Sequence, residues 1–182
     1  MHITNIALTL AAAASTALAK TAYVPPPMLA MKAAQQDSGC TLPREFTVKD
    51  FAGATNDTKA KPPTLKSFEF NFSDVDTQID TRCQFNSTSK SMAPEGQVAR
   101  YACEDDQAQF IWVQDKSMLA MIEQVCPSDD GTPSYEASGS VIIPVSCSNK
   151  TSCAGNATEY SSIYVSLQPI HDMQSLQNMW ED

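Results

Sequence analysis

Six cysteines, at Cys40, Cys83, Cys103, Cys126, Cys147 and Cys153, constrain this chain more than any other feature. None lies in the apolar stretch that opens the sequence. No two have the two-residue spacing of a zinc knuckle or a thioredoxin-like site. An even number of cysteines behind an export leader reads as a disulfide framework, not a metal or redox centre. The leader is residues 1–19. Ile6 to Leu10 and Ala11 to Ala14 form its apolar run, and Ala17-Leu18-Ala19 offers the small residues a signal peptidase accepts, which puts cleavage before Lys20. The run is too short, and too broken by Thr and Ser, to span a bilayer. No hydrophobic tail follows that a lipid anchor could replace. A secreted, extracellular, cross-linked and soluble product is expected.

The formal net charge of −9 falls entirely behind the leader. Such an acidic surface repels phosphate backbones and anionic lipid, so neither nucleic acid nor membrane is an expected partner. Five N-x-S/T sequons stand at Asn56, Asn71, Asn86, Asn149 and Asn156. That density predicts a glycoprotein from a eukaryotic secretory route.

Residues 20–39, with Pro25-Pro26-Pro27 and little to bury, read as a linker or pro-segment. The compact unit is expected over 40–169, one domain of ordinary size. Residues 170–182 form a tail in which Ile170, Met173, Leu176 and Trp180 recur at helical spacing.

Inside the domain the apolar period is two. In Leu65 to Phe72 the three phenylalanines Phe68, Phe70 and Phe72 share one face, while Glu69 and Asn71 share the other. The same alternation marks Phe46-Thr47-Val48, 78–85, 109–114 and 162–167, with further strands expected at 97–103, 117–125 and 139–146. Turn signals separate them at Asp74, Pro94-Glu95-Gly96, Asp105-Asp106, Asp115-Lys116, Asp129-Asp130-Gly131 and Ala154-Gly155-Asn156. About eight short strands so punctuated predict an all-β, single-domain antiparallel barrel or sandwich. Phe110 to Val113 and Met118 to Ile122 are apolar on both faces, as befits covered central strands or a subunit interface.

Position narrows the fifteen ways of pairing six cysteines. Cys147 and Cys153 flank a short polar loop. Cys83 and Cys103 sit in consecutive predicted strands about twenty residues apart, where a bridge contributes roughly 3 kcal/mol. Cys40 and Cys126 remain, to pair within the chain or reach another chain, so monomer and homodimer both stay open.

The order of these features resembles the Alternaria major-allergen-like family of secreted fungal proteins. Cys40 precedes Phe46-Thr47-Val48-Lys49-Asp50-Phe51, and a Phe-rich strand and the Cys83 strand follow. Tyr101-Ala102-Cys103-Glu104 then leads to Phe110-Ile111-Trp112, with Met118 to Ile122 next. Cys147, Cys153-Ala154-Gly155 and the strand Tyr160 to Leu167 close the pattern. The resemblance spans nearly all of 40–169. It implies a β-barrel protein that is an allergen, or an elicitor or effector in virulence, and that meets host defence proteins or small phenolic ligands. Cys83–Cys103 and Cys147–Cys153 match the family's intrachain bridges, and Cys40 matches its interchain cysteine. Cys126 has no counterpart there, and it offers Cys40 a partner within the chain. The stretch from Asn86 to Gly96 and the tail are also additional.

Catalysis finds little support. The one histidine behind the leader, His171, falls in the tail, so a triad, a Cys-His pair or a histidine-based metal site lacks its scaffold. Asp74-x-Asp76, Glu104-Asp105-Asp106 and Asp129-Asp130 fall at predicted turns, where acids cap and solvate loops. Only a glycosidase would need no more than such a carboxylate pair. Neither a catalytic residue nor a cofactor or metal is expected. Phe68, Phe70, Phe72, Phe110 and Trp112 read as core, with a ligand-lined barrel as the sharper alternative. The expected function is that of a secreted, non-enzymatic protein acting on a host partner. The runner-up is a carrier of a small apolar or phenolic ligand.

Overall fold

A computed structural model of the chain describes residues 40–170. Its elements are almost all strands: β1 (Glu45–Thr55), β2 (Leu65–Asp74), β3 (Ile79–Phe85), β4 (Tyr101–Ala102), β5 (Ala108–Val113), β6 (Met118–Pro127), β7 (Pro133–Ile142), β8 (Val145–Asn149), β9 (Ser152–Gly155) and β10 (Glu159–Pro169). One 3-10 turn, Gln114–Lys116, joins β5 to β6. Eight strands follow the path β3-β2-β1-β10-β7-β6-β5-β4, antiparallel at every step, and the β8–β9 hairpin docks on β1. The all-β architecture agrees with the sequence reading.

The sheet curls until its two ends meet. Glu104 N–H, just beyond β4, donates to the Arg82 carbonyl of β3 at 2.9 Å, and Asp105 N–H donates to Thr81 Oγ1 at 2.9 Å. Cys83–Cys103 crosses the same seam. Rings from opposite walls fill the interior. Phe70 of β2 meets Phe110 of β5 edge-on at 5.3 Å and Phe51 of β1 lies 5.3 Å from Trp112, while across the seam Phe85 packs on Tyr101 at 4.9 Å. Such pairs add roughly 0.5–1.5 kcal/mol each beyond area burial.

β1 pairs with β2 along one edge and, by bending, shares its other edge between two partners. Glu45 to Lys49 pair with β10, and Ala52-Gly53 pair with β9. The break between them is a bulge at Asp50, whose φ is +55°. The extra residue restores the inward phase, so Phe46, Val48 and Phe51 are all buried. Gln114 staples the loop before β2 to β5. Its Oε1 accepts from Leu65 N–H at 2.9 Å and from Trp112 Nε1–H at 3.0 Å, while its Nε2 donates to the Pro63 carbonyl at 2.6 Å.

Two expected strands change. The one expected over 97–103 contracts to Tyr101–Ala102, because Gln97 N–H turns back to the Pro94 carbonyl while the Arg100 carbonyl accepts from Met92 N–H and its N–H donates to Ser91 Oγ. The strand expected over 139–146 is the end of β7 and the start of β8. Pro144 has no N–H to give a ladder, and Ile143 donates instead to the Ser117 carbonyl. The additional strand β9 completes the hairpin.

Candidate functional site

One end of the barrel concentrates the unusual chemistry. Alternation along β6 points Leu119, Met121, Glu123 and Val125 inward, and Glu123 is fully buried. Asp74, the last residue of β2, is equally buried, and so is Tyr164 of β10. Tyr164 O–H donates to Glu123 Oε2 at 2.6 Å. Asp74 Oδ1 accepts from Asp76 N–H at 2.7 Å and Thr77 N–H at 3.2 Å, folding the β2–β3 turn over the pair. Asp74 Oδ2, Thr77 Oγ1 and Glu123 Oε1 complete no hydrogen bond of good geometry.

Burial pushes the Glu123 carboxyl up to about 7, and the charge of Asp74 adds to the rise, against the Thr77 and Tyr164 hydroxyls that hold it down. Asp74 is raised too, first by burial, while the N–H groups of Thr77 and Asp76 oppose the shift. Tyr164 is raised by burial and then by the charge of Glu123. Outside the seal, Arg44 binds Asp76 through Nη2 at 2.7 Å and Nε at 3.1 Å and holds its carboxyl below the usual range. With Asp74 charged nearby, ionising the buried Glu123 carboxyl carries a cost.

The other acidic clusters cap turns. Asp105 Oδ1 accepts from Gln107 N–H, and Asp130 Oδ1 accepts from Ser128 Oγ and Thr132 N–H, which lowers the Asp130 carboxyl to about 2. Among the described residues, no group of three or more His, Cys, Asp or Glu is placed to hold a metal ion, and no helix is long and apolar enough to cross a membrane. His171, the leader, the linker and the rest of the tail lie outside the described residues.

All six cysteines are paired within the chain: Cys40–Cys126, Cys83–Cys103 and Cys147–Cys153. Asn56, Asn71, Asn149 and Asn156 are exposed and Asn86 is half-buried. Every sequon lies on or beside β1, β2, β3, β8 or β9; β4 to β7 carry none. Asn86 and Asn149 are each folded into a tight turn by their own sequon threonine, Thr88 and Thr151, whose N–H and hydroxyl both donate to Asn Oδ1.

The sequence reading singled out Asp74 but missed Glu123 and Tyr164. The signal was present, since Glu123 occupies an inward position of an otherwise apolar alternation.

Fold and site together define a disulfide-clamped antiparallel β-barrel with a packed interior and one sealed acid pair. No family model matches the sequence, and no curated protein matches it. Among solved structures, the chain is similar to the crystal structure of the Alternaria alternata major allergen Alt a 1. The identity is 18%, the match covers 69% of this chain and 94% of that one, and the TM-score is 0.45.

Proposed function

We propose that this chain is a secreted, non-enzymatic fungal interaction protein that acts on host defence, as elicitor or effector, by presenting its folded outer surface to a host protein. The observation behind this reading is the filled interior. Packed rings occupy the barrel, and the perturbed groups Asp74, Glu123 and Tyr164 are all buried side chains. What three disulfides hold in place is then the exterior. Glycans on Asn56, Asn71, Asn86, Asn149 and Asn156 belong to the same proposal. For the carrier reading, the room available is in surface clefts of about 250 to 330 Å³, such as the one between Arg44, Val75, Asp76 and Ile163.

The test compares the oxidised chain with the same chain reduced and alkylated, each infiltrated into leaf tissue, reading the burst of reactive oxygen. The oxidised form is expected to elicit and the alkylated form to be silent. Equal responses, or none from the oxidised form, overturn the reading. Titrating Trp112 fluorescence with a panel of phenolic compounds addresses the carrier, which saturable quenching would support and an unchanged spectrum would remove.

A further inference from the structure

We infer that Asp74 and Glu123 form a proton-operated latch: one shared proton holds the Val75–Gln78 turn shut on the end of the barrel, and losing it releases the turn. The turn is fastened chiefly through Asp74, Asp76 and Thr77. Asp74 Oδ1 holds it from within through the N–H groups of Asp76 and Thr77, and Arg44 holds it from outside through Asp76. Val75 is almost fully exposed, and Gln78 has a φ of +62°. The turn also borders a surface cleft of about 250 Å³, lined further by Thr41, Ile79, Glu123, Val125 and Cys126.

The protonated pair suits this arrangement. Glu123 Oε2 is already taken by the Tyr164 hydroxyl, and Asp74 Oδ1 by two N–H groups. That leaves Glu123 Oε1 and Asp74 Oδ2 as acceptors facing a cluster whose other free group is the Thr77 hydroxyl. The Thr77 hydroxyl brings one donor to this trio, and one carboxyl proton supplies the second. With the proton gone, two buried negative charges face each other.

Among the described residues, nothing cationic is buried beside the pair to offset the second charge. Opposite Glu123, β5 presents Ala108 and β7 presents Ala137, with Tyr135 two residues along β7. Opposite Asp74, β1 presents Phe46 and β3 presents Ile79. The charged neighbours are Arg44 and Asp76, already joined to each other at the surface. Arg44 Nη2 is thus engaged outside the seal. The affordable response to the second charge is hydration, and the element that can move to admit water is the turn.

The experiment is residue-resolved hydrogen exchange on the full oxidised chain at about pH 5 and about pH 8, corrected for the intrinsic rate. The Asp76 and Thr77 amides are expected to lose about tenfold in protection at the higher pH, one unit beyond the titration. Ladder amides in β6 and β10 should keep theirs. Unchanged protection of Asp76 and Thr77 overturns the latch. Glu123→Gln, neutral throughout, is expected to hold the turn shut at both values; opening as the parent chain does also overturns it. Should that variant not fold, infrared titration of the parent chain decides: a protonated carboxyl band must persist at about pH 6, where solvated carboxyls are ionised. Its absence rejects the latch.

Discussion

Removing Cys40–Cys126 is expected to cost about 2 kcal/mol more than removing Cys147–Cys153. Both pairs have the same burial, one half-buried sulfur and one buried sulfur each, so packing losses in the double alanine variants largely cancel. What differs is the loop each bridge closes, with sequence separations of 86 and 6. In the chain-entropy account these restrict the unfolded chain by about 4.6 and about 2.4 kcal/mol. Equilibrium urea unfolding of the two variants, in buffer that keeps the remaining bridges oxidised, measures the difference. At a slope of roughly 2 kcal/mol per molar, the midpoints should lie about 1 M apart, with Cys40→Ala/Cys126→Ala the lower. Equal midpoints, or the reverse order, would refute the argument and place the stabilisation in native contacts around the sulfurs.

Stability should fall as pH rises from about 4.5 to about 7. Glu123 keeps its proton longer in the folded chain than in the unfolded one, so its full contribution is present below the ordinary glutamate range and lost through about 7. The loss is about 3 kcal/mol for this group, Asp74 acts in the same direction, and a urea midpoint that climbs over that window contradicts it. Gly139→Ala should cost about 2–3 kcal/mol, because its Cβ would run into the Ile163 carbonyl oxygen and the Phe46 ring; a thermal midpoint like the parent's would show that β10 can yield. Gln114→Ala should cost about 2 kcal/mol by stranding Leu65 N–H and Trp112 Nε1–H, with Trp112 emission shifting to the red. An unshifted spectrum would mean that Trp112 keeps its setting without the staple.

Where a strand has one wet face, its residues were easy to read. Phe68, Phe70 and Phe72 alternate strictly and all point inward. The Asp50 bulge was written as a slip of phase between Val48 and Phe51, but that β10 and β9 would share one edge of this strand depends on distant residues. Val98 carries strand propensity yet finds no neighbouring ladder, and it stays exposed. The acid pair was the least visible feature. Asp74 looks like any turn acid until the sheet's closure brings Glu123 and Tyr164, 49 and 90 positions away in sequence, onto it.

The uneven placement of the sequons gives the molecule two unlike flanks. If sugars grow on all five asparagines, the hairpin and the first three strands become a hydrated thicket. The flank of β5, β6 and β7 is then left as naked polypeptide. An antibody, protease or receptor arriving from outside would meet amino acids chiefly on that bare side, so glycan-sensitive and glycan-blind binders should sort to opposite flanks.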